Sequence, residues 1–149
     1  MDKYHYTECG LSNVFLRNGF EVSEFEGEEC YAVHDTEALH KAIGLEILNK
    51  TTLLNGEEIR FLRKECGLSQ KDLADILGVK DQSVANYEKE VTKQLKSSDL
   101  IIRLQYAAHI QSEANVTSLQ KILSLDATDR SEVDFSEKEG QWASSALAA

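Results

Sequence analysis

Apolar positions in this chain follow two rhythms, and the change between them divides the sequence. Near the start they sit in short runs, Asn13 to Leu16, Phe20 to Phe25 and Cys30 to Val33, separated by Arg17-Asn18-Gly19 and Glu26-Gly27-Glu28. Short alternating runs between glycine-bearing turns predict a small antiparallel β-meander. Two or three short strands are marginal alone and need a covering element. The next segment supplies one. Asp35 or Thr36 caps a helix to about Asn49, in which Leu39, Ala42, Ile43, Ile47 and Leu48 form an apolar stripe.

From Asn55 the spacing is helical and the connections are tight. Asn55 caps a helix whose first turn holds Glu57 and Glu58, where the positive end of the helix dipole favours them. Ile59, Leu62 and Cys66 share one face, and Cys66-Gly67-Leu68 ends the helix because glycine takes the left-handed conformation at little cost. Ser69 is a strong N-cap for a second helix, Gln70 to Leu77, with Leu73, Ala74 and Leu77 as its buried stripe; Gly78-Val79 is the turn. A third helix runs from about Lys80 to Lys89, with Val84 and Tyr87 inward and Lys80, Asp81, Gln82, Ser83 and Asn86 outward. Three short helices so joined predict a helix-turn-helix. Glutamine and asparagine pair bidentately with adenine in the major groove, so the outer face has the chemistry of direct base readout. An ordinary solvated helix face has the same composition, and composition alone leaves the two readings level. Asp81 either accepts from cytosine N4 or caps the third helix, the commoner role of an aspartate there.

Beyond a polar linker, Glu90 to Lys96, Ser97 or Ser98 caps a long helix from Asp99 to about Glu113. Its Leu100, Ile101, Leu104, Ala107, Ala108 and Ile110 are too apolar for one buried stripe, so part closes the core and the rest is a dimer contact. A further helix, Val116 to Leu125, offers Leu119, Ile122 and Leu123 to the same core or to a second copy. From Asp126 the periodicity is lost, and an acidic, Ser/Ala-rich sequence carrying Trp142 reads as a flexible tail. The expected plan is α+β: a β-rich module with one helix over 1–50, a mainly α helix-turn-helix domain with extra C-terminal helices over 55–125, and a tail over 126–149.

Charge complicates this plan. The chain has 16 Lys plus Arg against 26 Asp plus Glu, net −10 with pI ≈ 4.8, whereas a DNA-binding domain should show a basic footprint. The imbalance is uneven: 4 basic and 10 acidic side chains in residues 1–55, 8 and 8 in 56–96, 4 and 8 in 97–149. Arg60, Arg63, Lys64, Lys71, Lys80, Lys89, Lys93 and Lys96 in the neutral segment are the candidates for a phosphate-facing surface. Acidic flanks oppose the phosphate attraction that supplies most generic affinity, which implies few phosphate contacts, salt sensitivity and reliance on dimerisation. They also suit a basic protein partner. At 149 residues and 42% hydrophobic, the chain can bury one core with a small annexe. It has no bilayer-length apolar run, its first residues are not a signal peptide, and its three cysteines form no paired motif, so a cytoplasmic, reduced protein without a membrane role is expected. The sequence shows no glycine-rich phosphate loop, nucleophile motif or paired catalytic carboxylates, which argues against an enzyme.

Residues Ile59 to Lys89 resemble the XRE/Cro/C1-type helix-turn-helix family, of lambda-repressor-like fold. The matching positions are Leu68-Ser69-Gln70, Leu73-Ala74, Leu77-Gly78-Val79, Gln82-Ser83-Val84 and Tyr87-Glu88. The resemblance implies a sequence-specific transcriptional regulator that binds double-stranded DNA, at a palindromic operator, as a homodimer. It implies that Gln70, opening the second helix, holds a phosphate with Ser69, Lys71 and Lys89 beside it, and that Lys80, Asp81, Gln82, Ser83 and Asn86 meet bases.

The whole-chain plan is similar to that of the MqsA-type antitoxins, in which an N-terminal zinc-binding β-domain precedes an XRE-type domain. This implies an alternative function: an antitoxin that holds a toxin protein through its N-terminal module and autorepresses its operon. Those proteins bind zinc with two CxxC pairs, which are missing here. His5-x3-Cys9 and Cys30-x3-His34 mirror each other as a Cys2His2 candidate, but the expected state is metal-free, with buried cysteines and surface histidines. The final Leu147-Ala148-Ala149 resembles the small apolar ending of tags read by bacterial ATP-dependent proteases, which implies a degron.

Overall fold

The computed structural model describes residues 3–110 and 128–145. In chain order its elements are β1 (Tyr4–His5), β2 (Val14–Leu16), β3 (Phe20–Phe25), β4 (Glu28–Val33), α1 (Thr36–Leu48), α2 (Gly56–Glu65), α3 (Gln70–Leu77), α4 (Asp81–Glu88), α5 (Lys96–His109), β5 (Val133–Lys138) and β6 (Gln141–Ser144). The class is α+β, as expected. The chain divides into two compact units, residues 1–43 with 131–149, and residues 44–130.

In the first unit, three of the strands lie where the apolar runs predict them. Glu26 and Gly27 join β3 to β4 with φ of 53° and 83°. Positive φ at both central residues is what a two-residue turn needs to match the twist of its strands. The β3–β4 pair forms a sheet of its own, from Phe20↔Val33 to Phe25↔Glu28. The other sheet has the order β1-β2-β5-β6, with β2 and β5 parallel in the register Val14↔Val133 to Leu16↔Phe135.

The segment expected to be a flexible tail from residue 126 is therefore corrected over 133–144: it supplies two of the four strands. Inward positions alternate there as Phe135, Trp142 and Ser144. Asp134, which made the segment look like a solvated acidic stretch, is engaged by Lys3 Nζ and Arg17 Nε, each at 2.9 Å. Those bonds hold its carboxyl below the usual range against the opposing effect of burial. Trp142 packs onto the fold. Its ring covers Gly19, where a Cβ would come within 2.2 Å of it, and its Nε1 donates to His34 O at 3.3 Å.

The second unit contains α2 to α5 and the last turns of α1. Asn55 caps α2 as expected, accepting from Glu58 N while the Glu58 carboxylate accepts from Asn55 N. Ser69 and Asp72 repeat that reciprocal pair at α3, and Gly78 ends α3 in the left-handed conformation. Leu54, Ile59, Leu62, Leu73, Val84, Ile102 and Tyr106 are buried in this unit.

Helix α5 departs from expectation at its start and in its inward face. It begins at Lys96, with Leu95 at the N-cap making no side-chain bond, and Ser98 is buried. The inward face carries a fully buried ion pair: Arg103 Nε meets Asp99 Oδ1 at 2.8 Å. Asp99 Oδ2 accepts from Leu54 N at 2.7 Å and Gln94 Nε2 at 3.0 Å. Arg103 Nη1 donates to Ile47 O, Leu48 O and Lys50 O, satisfying carbonyls left over at the end of α1. An apolar-periodicity argument assigns such charges to the outside. With them inside, the buried hydrophobic residues of α5 become Ile102, Tyr106 and Ala107, while Ile101, Leu104 and Ala108 remain exposed. The helix expected over Val116 to Leu125 and the ending Leu147-Ala148-Ala149 lie outside the described residues.

Candidate nucleic-acid interface

The candidate interface is on α3 and α4, and a buried electrostatic brace holds these helices. Arg63 on α2 grips Glu88 on α4 through Nε to Oε2 at 2.6 Å and Nη2 to Oε1 at 3.0 Å. Its Nη1 donates to Leu68 O at 2.9 Å, in the connection between α2 and α3. One guanidinium thus ties three pieces of backbone together. A bidentate, nearly dry arginine–carboxylate pair fixes geometry more tightly than an exposed one. Arg63 is accordingly withdrawn from the candidate phosphate contacts.

Gly56 makes the close approach at the other end of the brace possible. A Cβ there would lie 2.3 Å from Glu88 O and 2.8 Å from Tyr87 O, so α2 starts directly against the last turn of α4. The same carbonyl end of α4 is followed by Glu90, whose Oε1 accepts from Gly56 N at 3.0 Å.

On the outer side of α4, Lys80, Asp81 and Gln82 are exposed, with Ser83 and Asn86 half-buried beside the buried Val84. Asp81 is not the cap: Lys80 occupies the N-cap position without a side-chain bond, and Asp81 Oδ1 accepts from Gln82 N at 2.9 Å in the first helical turn. Gln82 Nε2 donates to Asn86 Oδ1 at 3.1 Å, one turn along the helix. That bond orients both amides and leaves Gln82 Oε1 as an acceptor and Asn86 Nδ2 as a donor, complementary to the N6 and N7 edge of adenine.

The residues expected at phosphates fall into two groups. Lys71 and Lys89 are exposed. Ser69 and Gln70 are committed within the fold: Ser69 Oγ caps α3 by accepting from Asp72 N at 3.0 Å, and Gln70 Nε2 donates to Glu88 Oε1 at 3.2 Å. Ser69 retains its hydroxyl proton and Gln70 its second amide proton for a further acceptor. Asp72 is held below the usual carboxylate range, first by the hydrogen bond from the Ser69 backbone.

The residues considered for zinc are tied up separately in the first unit. His5 Nε2 lies 2.8 Å from Ser12 O and its ring stacks on Phe15; Cys9 Sγ donates to Tyr6 O; Cys30 is exposed on β4; and His34 lies near Glu21 and Glu137. Among the described residues, no three His, Cys, Asp or Glu side chains cluster as metal ligands.

Two capped helices at a tight turn, with a third laid across them and an amide-bearing outer face, define a helix-turn-helix. Residues 59–104 match the family model described as Helix-turn-helix, so the segment from α2 into α5 is shown to be one. No curated protein and no solved structure matches the chain. Among the described residues, no helix is long and apolar enough to cross a membrane.

Proposed function

We propose that this chain is a sequence-specific transcriptional regulator that binds duplex DNA through α3 and α4 as a homodimer. The observation that carries the reading is the Gln82–Asn86 amide pair on α4, Gln82 exposed and Asn86 half-buried, braced from behind by Val84 and by the Arg63–Glu88–Gln70 cluster. A helix fixed in that way presents its amides in one orientation, which direct readout of a base edge needs. Gln82, Ser83 and Asn86 contact bases, with Lys80 and Asp81 at the margin, while Ser69, Gln70, Lys71 and Lys89 position the phosphate backbone.

Dimerisation follows from weak electrostatics and exposed apolar surface. The acidic remainder of the chain limits phosphate attraction, so two half-sites are needed for useful affinity. Leu104 and Ile101 are exposed on α5, and these apolar side chains suit an isologous contact. The test is selection of binding sites from random duplex DNA at near-physiological salt, followed by anisotropy on the enriched sequence. A palindrome with half-sites about one helical turn apart is the expected product. A folded, dimeric protein that enriches no sequence would overturn the reading.

A further inference from the structure

The two-stranded β3–β4 sheet lies outside the helix-turn-helix segment, and its surface is unusual. Every residue from Glu21 to Ala32 is exposed, including Val22 at 52%, Phe25 at 68% and Tyr31 at 40%. Val22 and Tyr31 are directly opposite each other and share a face. At its base this face is covered: Tyr4 stacks on Tyr31 at 4.1 Å and packs near Phe20 at 5.5 Å. Towards the tip it is open. There Glu24 lies directly opposite Glu29 on the Val22 face, while Phe25, opposite Glu28, is on the other face of the ribbon.

Like charges paired across a ribbon destabilise it, and a two-stranded ribbon has little stability to spare. No lysine or arginine occurs from Asn18 to His40, and Glu24, Glu26, Glu28 and Glu29 meet none among the described residues. The tip therefore combines exposed apolar side chains with carboxylates that nothing neutralises. Duplex DNA is repelled by such a surface, and so is the same surface on a second copy. A partner that recovers both costs takes the ribbon tip into an apolar recess rimmed by lysine or arginine, so that cations reach the four glutamates while Val22 on one face and Phe25 on the other leave water.

We infer that the β3–β4 ribbon is a docking surface for a basic protein, which buries Phe25 and Val22 and neutralises the carboxylates at the ribbon tip. This inference is independent of the DNA-binding reading and is tested separately. The probe is a synthetic strand peptide of alternating lysine and leucine, titrated into the isotopically labelled full chain at near-physiological salt. Amide shifts should concentrate in residues 20–33, and a glutamate–leucine peptide should leave them unmoved. Phe25→Ser should weaken the peptide by roughly tenfold or more, as loss of a buried aromatic anchor does. Phe25 packs little in the free chain, and the isosteric E24Q/E29Q variant supplies a second test that preserves the ribbon; it should weaken binding and flatten its salt dependence. Both variants should retain the fluorescence of Trp142 and their affinity for the selected DNA site. Peptide shifts centred outside residues 20–33, or unchanged peptide affinity in both variants, would overturn the inference. Conversion of a dimer to a monomer by Phe25→Ser in sedimentation would also overturn it, by giving the ribbon to a second copy. Failure of the wild-type chain to select DNA would count against the helix-turn-helix reading alone.

Discussion

At the scale of single residues, the outer face of α4 and the brace behind it make separable predictions. Gln82→Ala removes the acceptor half of the base contact that Gln82 shares with Asn86 and frees the Asn86 amide to turn, so it should weaken the selected DNA site by about 1–3 kcal/mol and relax specificity at one position, whereas Lys71→Ala should weaken all duplexes alike. Anisotropy against cognate and scrambled sites distinguishes the two. Arg63→Met leaves Glu88 with its charge buried and unpaired, and should cost about 3–5 kcal/mol in urea unfolding. Glu58 adds a pH test. Burial is the largest influence and raises its pKa above the ordinary 4.5, outweighing Lys50 at 2.7 Å. A carboxyl with a raised folded pKa binds more protons folded than unfolded, so its contribution to stability falls as pH rises through and above 4.5. Relative to Glu58→Gln, the wild type should lose stability between pH 4 and pH 7, measured by thermal melting. The capping side chains were legible in the sequence, because Asn55 and Ser69 act on backbone only three residues away. Arg63 was not: its partner is 25 positions along the chain, and a charged residue carries no sign that it will be buried.

At the scale of elements, the two β-turns show where local signals succeed. Glu26-Gly27 and Glu139-Gly140 are the same dipeptide in the same turn, with φ near +55° and then near +80°. The first is legible in the sequence because apolar runs flank it. The second is hidden because Val133-Asp134-Phe135-Ser136 and Gln141-Trp142-Ala143-Ser144 dilute their alternation with polar residues, so that the acidic, Ser/Ala-rich composition outweighs it. The boundary of α5 differs from expectation for a related reason: two consecutive serines satisfy the usual capping preference, but the bonds from Leu54, Gln94 and Arg103 to Asp99 accompany a start one turn earlier. The approach of α2 to α4 gives the prediction for this scale. Gly56→Ala should push the end of α4 away from α2, destabilising the chain by about 1–3 kcal/mol and weakening DNA more than its stability loss explains, by paired urea and anisotropy measurements.

At the scale of the whole molecule, the order of residues along the chain and the order of strands in the sheet disagree. Deleting residues 131–149 should abolish the β1-β2-β5-β6 sheet, since β5 lies in its interior beside β2; loss of amide dispersion for residues 4–16, with signals of residues 55–104 retained, is the expected NMR result. Nothing local encodes this pairing, because bonds such as that between Asn18 and Glu137 span 119 positions. The parallel β2–β5 ladder also sets a schedule for synthesis. A ribosome adding about 5–20 residues each second leaves β2 without its neighbour for roughly 6–24 s, during which the intervening helices emerge and can assemble. The first strands translated are thus among the last to find their place, and for that interval their apolar side chains are the part of the nascent chain most in need of a chaperone.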